Sequence, residues 1–142
     1  MQKIAVIDSG PLIALFDRDD SFYQRATRFL KSYDGKLVTT TAVITEVLHM
    51  LDFHVSVQLA FLRWVYCGAI ELVEIKIDDI EHILLLTEKY SNVPMDFADA
   101  SLVVVAEKRN IKNVVSIDSD FYVYRTLSKG YLQNIFDIKS ND

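Results

Sequence analysis

The first apolar stretch, Ile4–Ile7, is an unbroken IAVI that stops at Asp8. A short continuous run, unlike an alternating one, is the pattern of a parallel strand buried on both faces. Ser9, Gly10 and Pro11 follow as a cap residue, a turn residue and a first-turn proline, so a helix is predicted from about residue 11 to 17. Between residues 21 and 33, Phe22, Ala26, Phe29, Leu30 and Tyr33 recur at helical spacing, and Gly35 is a stop signal just beyond. Residues 37–39 form a second strand candidate, and the hydroxyl run 39–41 caps a helix that carries Val43, Glu46, Val47 and Leu51. Val55–Tyr66 is apolar on nearly every side, which predicts a helix buried twice over, its second face against another subunit. Residues 70–77 read as a strand, and Asp78 with Glu81 as the acidic start of a helix reaching Tyr90. A buried helix is predicted from 96 to 109, a short strand over 114–117, and an edge strand over 132–138.

Strands alternating with helices over the whole chain give an α/β sandwich around a mainly parallel sheet. At 142 residues the chain has the length of a single domain, 1–142, with no repeat and no linker composition. Its 15 Lys+Arg against 20 Asp+Glu leave a net charge of −5, which argues against a broad basic surface for nucleic acid. A polyanionic partner would need local help from bound cations. The single cysteine, Cys67, rules out an internal disulfide and reads as a small buried hydrophobe in an apolar stretch. The first apolar run is broken by Asp8 and no stretch approaches the roughly 18 residues of a membrane span, so no membrane partner and a cytoplasmic location are expected.

Two strand candidates end in acid, at Asp8 and at Asp118/Asp120, and in open parallel sheets ligands sit at the carboxyl ends of strands. Asp96 and Asp99 lie three residues apart at a helix start, about 60° apart around the axis. Asp96 also suits a helix N-cap. Asp99, between alanines and before the apolar 102–106 run, faces a packed environment unless a cation or a donor compensates it. Clustered carboxylates raise one another's pKa, and a divalent metal resolves the conflict. Oxygen ligands without any Cys-His spacing point to Mg²⁺ or Mn²⁺ rather than zinc, and such an ion suits phosphodiester hydrolysis.

Four segments in order, Val6 to Leu12, Thr41 to Glu46, Met95 to Leu102 and Ser116 to Phe121, resemble PIN-domain nucleases over essentially the whole chain. The resemblance implies a three-layer α/β/α sandwich whose motif acids converge on a divalent-metal site that cleaves RNA. Asp8, Glu46, Asp99 and Asp118 match the four acidic positions of the family, and Asp96 and Asp120 match positions acidic in only some members. Ser116 stands where a hydroxyl residue, often threonine, precedes the fourth acid. Small members are often VapC-like toxins, held inactive by a small antitoxin protein and often dimeric, so RNA, an antitoxin and a second copy of the chain are the implied partners. A non-catalytic PIN-like module binding RNA or protein, and a stand-alone RNA-processing nuclease, are the alternatives. His49, one turn from Glu46, reads as a packed histidine, and Arg18, Arg25, Arg28 and Lys31 read as a charged outer face more readily than as an RNA-binding stripe.

Overall fold

The computed structural model describes residues 3–93, 95–118, 121, 124, 125, 130 and 132–136. Their elements follow the order β1 (Ile4–Ile7), α1 (Ser9–Phe16), α2 (Tyr23–Ser32), β2 (Lys36–Thr40), α3 (Thr41–Met50), α4 (Val55–Tyr66), β3 (Glu71–Val73), α5 (Ile77–Lys89), α6 (Phe97–Lys108), β4 (Asn113–Val115) and β5 (Gln133–Asn134). The sheet order is β3-β2-β1-β4-β5 and every pairing is parallel, with Val6 opposite Val38 on one side and Val114 on the other.

From β1 the chain builds outward to β2 and β3, then jumps back across the sheet to β4 and β5. Right-handed crossovers therefore place α1 to α4 on one face and α5 and α6 on the other, a three-layer α/β/α sandwich. The reversal occurs between β1 and β4, and such a switch point opens a crevice at the carboxyl ends of the strands. Ala5, Val6, Val38, Val114 and Val115 are fully buried in the sheet, as the continuous apolar runs require. Helix α6 is buried from Ala98 to Ala106, polar Asp99 and Ser101 included.

Several expectations shift. Helix α1 begins at Ser9, not near Pro11, because Asp8 is itself the N-cap and accepts the Ser9 amide at 2.8 Å. Pro11 stays in the first turn, where its missing N–H has no partner to lose. The strand predicted over 70–77 shrinks to Glu71–Val73, and α5 opens at Ile77 because Asp79 accepts the Lys76 backbone amide at 2.8 Å. Strand β4 ends at Val115, which leaves Ser116 and Ile117 to the crevice. Strand β5 lies at the sheet edge as predicted, with residues 137 and 138 outside the described residues.

Helix α4 is covered on one face only by its own chain. Phe61 is buried and meets Phe16 and Trp64 ring to ring, but Val55, Leu59, Leu62 and Tyr66 are exposed, Tyr66 by 91%. One face packs and the other is open, because an apolar periodicity does not say which of its faces the chain itself can cover. Cys67, the C-cap of α4, is exposed and not buried.

Candidate metal centre

Asp8 enters the crevice because β1 ends there and α1 begins. Its Oδ1 caps Ser9, and its Oδ2 accepts the Ser116 hydroxyl at 3.1 Å. The cap and ligand readings of Asp8 are thus compatible, since one oxygen serves each side, and Ser9 is left free of capping. Its hydroxyl instead donates to Glu46 Oε1 across from α3. Asp99 is held by a reciprocal cap at the start of α6: its amide donates to Asp96 Oδ1 at 2.8 Å, and its Oδ2 faces the Asp96 amide at 3.4 Å. The Tyr124 hydroxyl donates to the same Oδ2 at 3.4 Å. Asp118 follows β4, with its amide donating to Ser116 Oγ at 3.0 Å.

Carboxylate oxygens of Asp8, Asp99 and Asp118 lie within 4.8 Å of one another, the one such group among the described residues. Asp8 and Asp99 are buried and Asp118 is exposed, so the cluster has a closed floor and an open side. Burial pushes the Asp8 carboxyl up to about 6 against the help of Ser9 and Ser116, and the charges of Glu46 and Asp118 push the same way. Asp99 is pushed higher, to about 8, first by burial and then by the charges of Asp8 and Asp96. Two carboxyl groups whose charged forms are disfavoured, beside a third carboxylate, form an arrangement a cation would relieve.

Hydroxyl groups brace this floor. Thr39 donates to the Ile7 carbonyl at 2.8 Å, and Thr40 and Ser101 bond each other at 2.8 Å, tying β2 to α6. Asn134 of β5 holds both backbone groups of Ser116, donating to its carbonyl at 2.8 Å and accepting from its amide at 3.3 Å.

The sequence-derived acids therefore divide. Asp8, Asp99 and Asp118 converge; Glu46 stands beside them through Ser9; Asp96 caps α6; Asp120 lies outside the described residues. Ser9, Tyr124 and Asn134 were not anticipated, because each acts through a contact across the fold that no local spacing announces. His49 is exposed, not packed, and it lines a cleft of about 720 Å³ with Glu46, Glu74, Ile80, Asp96 and Phe97. Arg18, Arg25 and Arg28 gather around a depression on α2 with Asp20, and Lys31 is not among its lining residues. The Arg25 guanidinium sits over the Phe22 and Phe136 rings at 5.4 and 5.7 Å.

Comparison with known proteins adds three kinds of likeness. The family model described as "PIN domain" matches residues 5–127. Ribonuclease VapC26 of Mycobacterium tuberculosis is 28% identical over 115 residues, covering 80% of this chain and 85% of its own. Among solved structures, M. tuberculosis VapC20, described as a sarcin-ricin loop cleaving toxin, superposes with a TM-score of 0.77 at 20% identity, covering 85% of this chain and 94% of that one. A chain of a toxin-antitoxin complex from Klebsiella pneumoniae gives a TM-score of 0.62 at 19% identity, covering 82% and 89%.

Proposed function

Because the chain belongs to the PIN-domain family, we propose that it is a divalent-metal-dependent ribonuclease and the toxin of a toxin-antitoxin pair. The observation that carries the chemistry is the convergence of Asp8, Asp99 and Asp118 from three separate segments onto one point at the switch of the sheet. Oxygen donors alone suit Mg²⁺ or Mn²⁺. The residues fit such an ion: burial and neighbouring carboxylates push Asp8 and Asp99 up together, a conflict that a cation held between their oxygens relieves.

Asp8, Asp99 and Asp118 would hold the ion, which supplies charge against the phosphodiester oxygens and a more acidic water at the site. The protein's own groups do the positioning. Ser116, clamped by Asn134, fixes the Asp8 carboxylate, and Tyr124 fixes that of Asp99. Glu46 is turned toward the cluster by Ser9, where it can accept a proton or add a further ligand oxygen. Asp96 acts through the Asp99 amide as a positioning residue, and Asp120 remains a further ligand candidate. With a net charge of −5 the surface at large does not attract a polyanion, so an RNA substrate would be drawn to the cation site.

VapC26 carries the name ribonuclease, VapC20 is described as cleaving the sarcin-ricin loop, and the Klebsiella chain belongs to a toxin-antitoxin complex. These likenesses support an RNA substrate and a small antitoxin partner here. The open apolar face of α4 supports a homodimer or an antitoxin contact. Among the described residues no helix is long and apolar enough to cross a membrane. The test is cleavage of a mixed RNA panel with Mn²⁺, with Mg²⁺ and with chelator, running wild type beside Asp8→Asn. Cutting by wild type alone, and only with metal, is the expected result; equal cutting by both proteins would contradict it.

A further inference from the structure

Phe97 is half exposed at the first turn of α6, two residues before Asp99, and its ring lines the 720 Å³ cleft together with Ala42 and Ile80. With Ile80, also exposed, it forms an apolar patch within a concave surface, the kind of patch that marks a binding groove. Two acids of the cleft adjoin the metal centre: Glu46, which accepts from Ser9 next to Asp8, and Asp96, which caps the Asp99 amide. Whatever occupies it is therefore adjacent to the bond that is cut. Its volume lies within the range of small-molecule sites, and its make-up, an apolar floor with a few polar groups, is that of a ligand pocket.

We propose that this cleft is a nucleobase subsite, in which the base adjoining the cleaved phosphodiester stacks on Phe97 and presents its edge to Thr45 and His49. The inference rests on the ribonuclease reading above and deepens it. Charge selects the occupant. Glu46, Glu74 and Asp96 line the cleft, so a phosphate is repelled from it, whereas a neutral base is not. The backbone phosphate is left to the carboxylate centre and the uncharged part of the same nucleotide turns into the cleft. An aromatic platform accepts any base by its π-face; the Thr45 hydroxyl, which donates to the Thr41 carbonyl at 3.0 Å, keeps lone pairs to accept from a base edge, and the imidazole of His49 supplies a donor and an acceptor.

The test uses a short RNA bracketing a cut mapped from the mixed panel, and a copy of it that is abasic at each nucleotide flanking that cut in turn. Deleting the base at one flanking position is expected to lower kcat/KM of the wild type by about 5- to 150-fold, and Phe97→Ala to do the same on the intact RNA. The two losses should not multiply when combined. Phe97→Trp should cut nearly as well as wild type, while Phe97→Ala keeps its melting temperature and its Mn²⁺ binding, which separates a lost subsite from a lost fold or metal. Multiplying losses, or a folded Phe97→Ala that cuts at the wild-type rate, would overturn the proposal. Phe97→Ala that cuts normally but escapes inhibition by a co-purified antitoxin would give the cleft to a protein instead, and also overturn it. No cutting by wild type in any metal would remove the ribonuclease reading and this subsite with it.

Discussion

A carboxyl group as enclosed as that of Asp8 opposes folding whenever it is charged. Its pKa rises from 3.8 to about 6 in the folded chain, so between those values the folded state holds a proton that the unfolded state has lost. Stability without metal therefore falls as pH rises from about 4 through 6, and Asp99 extends the fall toward 8. The penalty is on the order of 3 kcal/mol for Asp8 at neutral pH. The melting temperature in chelator should accordingly drop between pH 5 and 8, and Asp99→Asn should flatten that profile; a profile that rises with pH would contradict the assignment. Asp8→Asn should raise ion-free stability by about 1–2 kcal/mol in denaturant titration while removing cleavage, the usual trade between a charged site and a stable fold. Asp8, Asp99 and Asp118 were legible because strand ends and helix starts are local signals. Cys67 and His49 were misread as buried, since their exposure depends on which side of a helix the rest of the chain covers.

The helices show where an apolar pattern and burial within one chain part. Helix α6 was correctly read as buried, because an apolar run with small residues at Ala98 and Ala100 has no solvent face to offer. Helix α4 looked equally apolar, yet only Phe61 is fully enclosed. Phe61→Ala should thus lose about 3–5 kcal/mol in denaturant unfolding, the cost of a cavity against Phe16 and Trp64. Leu62→Asp, on the open face, should change stability of the isolated chain by less than about 0.5 kcal/mol. The same variant should weaken any self-association or antitoxin binding measured by sedimentation, and an unaffected complex would place the interface elsewhere. The strand predicted over 70–77 failed for a different reason: Asp79 captures the Lys76 amide and starts a helix where β-branched composition suggested more strand.

At the scale of the whole molecule, the sheet order puts residues 8, 99 and 118 at one crevice although more than a hundred positions separate the first from the last. Alternating elements made the fold class legible, but the floor of the site was not: Ser116 is held by Asn134, Asp99 by Tyr124 and Glu46 by Ser9, all contacts across the fold. Removing one clamp should be felt at a distance, so Asn134→Ala should lower cleavage several-fold without abolishing it, checked by kcat/KM on the same RNA. The claim on which everything rests is that these three carboxylates form one divalent-metal site. Calorimetric titration of Mn²⁺ at pH 7, run in two buffers of different ionisation enthalpy, tests it without any substrate. The wild type should bind with release of protons, since burial and its neighbours hold the Asp99 carboxyl well above the usual range and an ion displaces that proton, and Asp99→Asn should lose both the binding and the release. Equal Mn²⁺ binding by the two proteins, or wild-type binding with no proton released, would contradict the account.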